Sequence, residues 1–302
     1  MNNAIELEQV TKTFGKHTAV DCIDLQVPVG AIYGFIGPNG SGKTTTLRMI
    51  LRIFQPDSGG VTVLGHSQGK TADDRLGYLP EERGLYKRMR VRDILTYYAK
   101  LKGMRDCQAE IDHWLEKLGA SEWQNMKIDS LSKGMAQKIQ FISAVVAKPE
   151  LVILDEPFSG LDPVNLDALK AAVLQLRDNG TTIVFSTHDM DMAEKMCDTI
   201  FMIFNGRKVL DGTLNSIQAQ YPADRIRMEF EDGSALPEIE GISDLETNGR
   251  FHEFRMNDVS QSQAILHRML EHRPVSHFEV LKPSLHDIFV RIARPEPTEA
   301  KT

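Results

Sequence analysis

The chain opens on two segments in which apolar and polar residues alternate, residues 4–10 and 19–27, separated by Phe14-Gly15-Lys16 and closed by Pro28-Val29-Gly30. Such alternation predicts two half-buried strands paired antiparallel. Residues 31–36, AIYGFI, are instead apolar without a break; they run into the glycine-rich GPNGSGKTT and then into residues 46–53, of helical composition. That order predicts a fully buried strand, a loop and a helix. Helical spacing returns over 91–102 and 107–118, a small helical insertion, and over 132–147, where Met135, Ile139, Ile142 and Val146 predict a helix with one buried face. Beyond it, strand patterns at 151–154, 181–185 and 199–204 alternate with helical ones at 163–177 and 190–197, and Asn205-Gly206 marks a turn before a strand at 208–210 and a short helix at 214–220. Alternating strands and helices predict a parallel sheet with crossover helices.

From Pro222 the pattern changes. Residues 225–230 and 276–281 alternate, 242–256 reads as a hairpin folded at Asn248-Gly249, and 261–271 and 284–292 are helical. The expected organisation is a first α/β domain over 1–221 with a helical subdomain at about 88–150, a small α+β domain over 222–293, and a polar, proline-containing tail over 294–302 with no means of packing.

Composition narrows the function. With 41% hydrophobic and 25% charged residues among 302, the chain is ordinary globular protein. Its apolar runs fall far short of the roughly 18 residues that span a bilayer, and its N-terminus lacks the basic, apolar, small-residue series of a secretory signal, so a cytoplasmic chain is expected. Cys22, Cys107 and Cys197 are widely separated, which argues against disulfides and thiolate metal sites and predicts buried or half-buried free thiols. A net charge of -7, negative on both sides of Pro222, disfavours nucleic acid as a partner.

Gly37-Pro38-Asn39-Gly40-Ser41-Gly42-Lys43-Thr44, followed by Thr45, matches G-x-x-x-x-G-K-[ST] in the strand-to-helix context the motif requires. Glycines let successive backbone N–H groups curl toward phosphate oxygens, the helix adds its positive end, Lys43 neutralises phosphate charge and the Thr44 hydroxyl suits Mg²⁺. The apolar strand at 151–154 ends in Asp155 and Glu156, one carboxylate placed for Mg²⁺ and one for orienting and deprotonating water.

With these motifs in view, residues 1 to about 220 resemble the ATP-binding cassette (ABC) ATPases, P-loop proteins with a parallel sheet, an antiparallel β subdomain and a helical subdomain. Leu131-Ser132-Lys133-Gly134-Met135 stands at the family's signature, Ser159-Gly160-Leu161-Asp162 at its D-loop, Ser186-Thr187-His188-Asp189 at its switch histidine, and Phe14 at its adenine-stacking aromatic. The resemblance implies an ATPase that takes ATP and Mg²⁺ and pairs head to tail with a second subunit, expected to be a copy of itself. Ser132, Gly134 and Asp162 then serve the nucleotide held by the other subunit, and separate transmembrane permease subunits hold the chain on the inner face of the membrane. A groove for a permease helix is expected between Glu81 and Lys102. Three positions depart from the family pattern: Glu81 replaces the Q-loop glutamine, Lys133 a signature glycine, and Met135 a signature glutamine. Glu81 keeps an oxygen for Mg²⁺ but has no donor. Pro283-Ser284-Leu285-His286-Asp287-Ile288-Phe289 and the second domain resemble the branch that contains ABC-2 type exporters and sodium-extrusion systems.

Two other readings fit less well. A soluble ABC protein acting on DNA or ribosomes needs long coiled coils between its motifs or two cassettes in one chain. A non-hydrolysing sensor would replace Glu156 by an amide or a small residue.

Overall fold

The computed structural model describes residues 3–67, 74–82, 84–237, 239, 241–256 and 259–293. Contacts divide the chain into two units, Met1–Thr213 and Leu214–Thr302. The first begins with β1 (Asn3–Phe14) and β2 (His17–Pro28), antiparallel about a turn whose Gly15 has φ 60°, a conformation open to glycine at little cost. Then come β3 (Ile32–Ile36), α1 (Lys43–Ile50), β4 (Ser58–Val63), β5 (Leu76–Leu79), α2 (Val91–Leu101) and α3 (Gln108–Lys117). They are followed by α4 (Lys133–Val145), β6 (Leu151–Asp155), α5 (Pro163–Asp178), β7 (Thr182–Thr187), α6 (Met190–Met196), β8 (Thr199–Phe204) and β9 (Arg207–Gly212).

Six strands form the central sheet in the order β5-β6-β7-β3-β8-β9, parallel except for β9. The unbroken apolar runs have a simple cause: both faces are covered. On β3, β6 and β7, Ile32, Val152, Leu154, Ile183 and Phe185 pack with Ile94, Trp114, Ile142 and Leu169 from the surrounding helices. Their neighbours Tyr33, Phe35, Leu151, Ile153 and Val184 pack on the other side with Leu47 of α1 and with the sheet β2-β1-β4. In register, Asp155 pairs with Ser186 and Ile36 with Thr187, so the carboxyl ends of β6, β7 and β3 lie side by side. Ligands of open α/β sheets bind at that edge.

Two expectations are corrected here. The helix at α4 does not bury one face: Ala136 to Ile142, Ala144 and Val145 are all buried, Gln137, Lys138 and Gln140 among them. The polar three are tolerated because each donates to a backbone carbonyl: Gln137 to Pro157 O at 3.1 Å, Lys138 to Leu118 O at 2.9 Å, Gln140 to Pro80 O at 3.1 Å. The cysteine expectation holds for Cys107 and Cys197, but Cys22 is exposed on β2.

The second unit contains α7 (Leu214–Gln218), β10 (Arg225–Phe230), β11 (Ile242–Asn248), β12 (Phe251–Met256), α8 (Ser262–His272), β13 (Val275–Leu281) and α9 (Leu285–Ala293). Its sheet is antiparallel, ordered β11-β12-β10-β13, and buries Ile226, Met228, Phe230 and Phe254 with Ile265 and Met269 of α8. Ser284 and Asp287 cap α9 reciprocally, the Ser284 hydroxyl donating to the carboxylate at 2.7 Å and accepting from Asp287 N at 3.1 Å. The short helix α7 falls in this unit by its contacts, and its Gln218 Nε2 donates to Pro283 O at 2.9 Å. The expected tail, 294–302, lies outside the described residues. Among those residues no helix is long and apolar enough to cross a membrane.

Candidate functional site

Between β3 and α1 the chain turns through Gly37 (φ 149°), Gly40 (77°) and Gly42 (113°). A Cβ on Gly37 would overlap the Ile203 carbonyl oxygen, and one on Gly42 the Ala19 carbonyl oxygen, so neither position accepts a side chain. The helix begins directly at Lys43, which aims its first-turn amides back at the loop. The buried Lys43 ammonium donates to Gly37 O at 2.6 Å and to Pro38 O at 3.1 Å. Burial pulls its pKa below the ordinary lysine value, and the carboxylates of Glu156, Asp155 and Glu81 act in the opposite sense. The Ser41 hydroxyl oxygen is buried beneath the loop with no partner among the described residues.

At the end of β6, Asp155 is buried and accepts a hydrogen bond from the Ser186 hydroxyl of β7. The same hydroxyl oxygen accepts from Glu156 N at 3.2 Å. Glu156 has φ 49°, a left-handed conformation that costs a non-glycine residue roughly 1–3 kcal/mol and persists only where its surroundings hold it. His188 supplies the rest of the restraint: its backbone N donates to Glu156 Oε1 at 3.1 Å, and its Nδ1 lies 2.8 Å from the same oxygen. Thus Asp155, Ser186, Glu156 and His188 form one continuous chain of contacts.

Asp155, Glu156 and His188, with the wholly buried Ser186 behind them, line a cleft of about 450 Å³ together with Asn39, Gly40, Gly42, Lys43, Thr44 and Thr45 of the loop. Phe14 closes one end, half-exposed at the tip of the first hairpin, its ring 5.5 Å from Phe54 and beneath the Lys12 ammonium at 5.6 Å. Glu81 lines the cleft as well. Gly37, Pro38 and Ser41 are not on its wall; the first two face Lys43 through their carbonyls.

Ser132, Gly134 and Asp162 are elsewhere. Ser132 caps α4, accepting from Met135 N at 3.3 Å, and Asp162 caps α5, accepting from Asn165 N at 3.1 Å. The hydrogen bonds from Asn165 hold the Asp162 carboxyl below the usual range. A Cβ on Gly134 would meet the Asn165 amide nitrogen at 3.2 Å, and the Lys133 ammonium lies over Gly160, so the two caps and their loops make one surface patch. None of its residues lines the cleft of the same chain, Ser159 excepted.

Sequence reasoning missed Ser186 as the link between the two carboxylates, and His17 and Ala19 on the cleft wall. Ser186 had a legible signal, since its parity on β7 sets it beside Asp155. Arg83 of the Q-loop segment lies outside the described residues. Near that segment a second, mostly apolar groove of about 380 Å³ runs between Ile50 to Ile53, Leu76 to Tyr78, and Pro80, Leu85, Tyr98, Leu101 and Lys102.

Residues 20–159 match the ABC transporter family and residues 212–293 the C-terminal domain of DrrA1-3-like ATP-binding proteins. The uncharacterized ABC transporter ATP-binding protein YhaQ of Bacillus subtilis is 42% identical over 289 residues, covering 95% of this chain and 97% of that protein. The Nod factor export ATP-binding protein I of Paraburkholderia xenovorans is 31% identical, covering 97% of this chain and 98% of that protein. Among solved structures, the ATP-binding subunit of an ABC transporter superposes with a TM-score of 0.67 at 28% identity, covering 72% of this chain and 93% of that one. The chain therefore belongs to the ATP-binding proteins of ABC transporters.

Proposed function

We propose that this chain binds Mg-ATP in the cleft and hydrolyses it as one half of a head-to-tail pair of identical subunits, driving membrane-spanning permease subunits of an export system. The family hydrolyses ATP to power transport. The observation that carries the reading is the division of groups between two surfaces: loop, Lys43, Asp155, Glu156 and His188 meet in one cleft, whereas Ser132, Gly134 and Asp162 share a patch outside it. A second copy turned head to tail supplies that patch, with the N-terminus of α4 facing a phosphate.

Each role follows from chemistry. Phe14 stacks on the base, and the loop amides with Lys43 hold the phosphates. Thr44, Asp155 and Glu81 all line the cleft and offer hard oxygen atoms, the donor type Mg²⁺ takes, and this ion needs only one or two carboxylates besides phosphate and water. When bound it would neutralise phosphate charge. Glu156 accepts the proton of the attacking water, and His188 fixes the carboxylate and reaches the γ-phosphate. The apolar groove beside the Q-loop segment suits a helix of the permease, which holds the chain at the inner face of the membrane. Export follows the name of the Nod factor relative.

Dilution tests the pairing. Specific ATPase activity should fall as the protein is diluted through the dimer dissociation constant and saturate at high concentration; a value unchanged over a hundredfold dilution, with light scattering showing monomers, refutes the shared site.

A further inference from the structure

Gln137 and Gln140 lie three residues apart on α4, both buried, and each holds a loop that carries a group of the cleft. Gln137 Nε2 donates to the carbonyl of Pro157, the residue after Glu156, at 3.1 Å. Gln140 Nε2 donates to Pro80 O at 3.1 Å and to Glu82 O at 3.2 Å, the carbonyls on either side of Glu81. One amide therefore brackets the backbone of Glu81 from both directions, while the Glu81 side chain lines the cleft.

The other end of that amide is unsupported. Gln140 Oε1 is buried and has no hydrogen-bond partner among the described residues. A buried acceptor left unpaired lowers stability, and an apolar side chain of similar volume would suit a helix whose neighbouring Ile139, Phe141 and Ile142 are wholly core. Glutamine here is costly to the core, and what it adds is the pair of donated bonds.

We propose that Gln140 is a positioning residue: by fixing the carbonyls of Pro80 and Glu82 it holds Glu81 at the cleft wall and ties the metal-side carboxylate to the helix that begins with the signature segment. The inference rests on the reading of Glu81 as a group that faces Mg²⁺. Its reach is local, because the helix carrying the donors is rigid and buried on nearly every side, whereas the segment it grips is irregular backbone after β5.

The full chain carrying Gln140→Met, with Gln140→Leu as a second variant, tests it against Glu81→Ala and the double variants. In the nucleotide-free protein, cleavage after Glu82 by a glutamate-specific protease should quicken by about five- to thirtyfold, the worth of one or two net hydrogen bonds, with the melting temperature unchanged or raised. The Mg²⁺ concentration for half-maximal binding of a fluorescent ATP analogue should rise by up to about fivefold, and Gln140→Met in the Glu81→Ala background should add nothing further. Additive effects of the two substitutions overturn the proposal, as does unchanged cleavage at Glu82 or a lowered melting temperature with unaltered Mg²⁺ dependence. If Glu81→Ala alone leaves the Mg²⁺ requirement untouched, the metal reading of Glu81 falls, and the cleavage rates then decide by themselves whether Gln140 holds the segment.

Discussion

Replacing Glu156 by glutamine separates the chemistry of the cleft from its geometry. Glutamine has nearly the same shape, and its carbonyl oxygen can accept from His188 N as Glu156 Oε1 does at 3.1 Å, so the left-handed turn should survive. What disappears is the proposed base. Loss of a positioned general base costs about 10² to 10⁴ in rate, or roughly 3–5 kcal/mol at about 1.4 kcal/mol per decade. Affinity should move the other way. Glu156 heads the carboxylates acting on Lys43, which places its charge close to where phosphates must lie. Two like charges about 6 Å apart repel by about 3 kcal/mol at an effective dielectric near 20, and solvent screening leaves a part of that. Glu156→Gln should therefore bind ATP about tenfold more tightly while hydrolysing it at least a hundredfold more slowly, and ATP-bound pairs should accumulate. Single-turnover hydrolysis of labelled ATP gives the rate, equilibrium binding the affinity, and light scattering the pairs. Turnover within threefold of the parent protein removes Glu156 from the reaction. Slower turnover with weaker ATP binding shows a damaged loop and refutes the division of roles.

Three further outcomes follow from the same geometry. Gly42→Ala should abolish detectable ATP binding and lower the melting temperature, because φ 113° and the overlap with Ala19 O force the loop backbone to move; binding at parent affinity contradicts the cradle. Because burial lowers the Lys43 pKa and phosphate favours its ammonium, ATP binding should take up a proton at alkaline pH below the ordinary lysine value of 10.5, and affinity should fall as pH rises there. The unfolded chain holds that proton more tightly, so in the same window this group adds stability as pH rises. Titration calorimetry in buffers of different ionisation enthalpy measures the uptake, and its absence in Lys43→Met assigns it. Among the thiols, exposed Cys22 should react rapidly with an alkylating reagent, whereas Cys107 is buried and burial raises the Cys197 pKa beyond its ordinary value; mass spectrometry showing Cys197 modified first refutes this.

Much of this was legible because of where the informative residues fall. Unbroken apolar runs at β3, β6 and β7 admit one solution, a sheet buried on both faces, and each run is followed at once by its polar group: the glycine loop, Asp155-Glu156 and Thr187-His188. Chain order and sheet rules then bring them to one edge. The failures are equally physical. β4 was missed because its sequence, SGGVTV, carries two glycines after Ser58, and Gly59 is there to let Gln9 O approach. The burial of α4 was underestimated because periodicity weighs only apolar residues, whereas Gln137, Lys138 and Gln140 are buried by bonding carbonyls 20 to 60 residues away. The grouping of α7 with the second unit has no signal in composition; its packing on α9 and the bond from Gln218 to Pro283 carry it.

The charge balance of the cleft argues that it is built to be completed. Among the described residues on its wall, the carboxylates of Glu81, Asp155 and Glu156 stand against the single ammonium of Lys43. A polyphosphate entering such a wall meets more repulsion than attraction from side chains, and backbone amides at the N-terminus of one helix offset only part of it. The proposed function supplies two further positive sources. A divalent cation on the oxygen atoms of Thr44, Asp155 and Glu81 would be one, turning two of the repelling carboxylates into ligands. In the proposed pair the other would be a second helix N-terminus, which this chain carries at Ser132 but holds outside its own cleft, with the Lys133 cation beside it. Chelation of Mg²⁺ and disruption of the pair should accordingly weaken ATP retention more than additively when combined, since each leaves the other's share of the phosphate charge uncompensated. Measured off-rates of a labelled nucleotide that multiply independently would mean the two act on separate parts of the ligand.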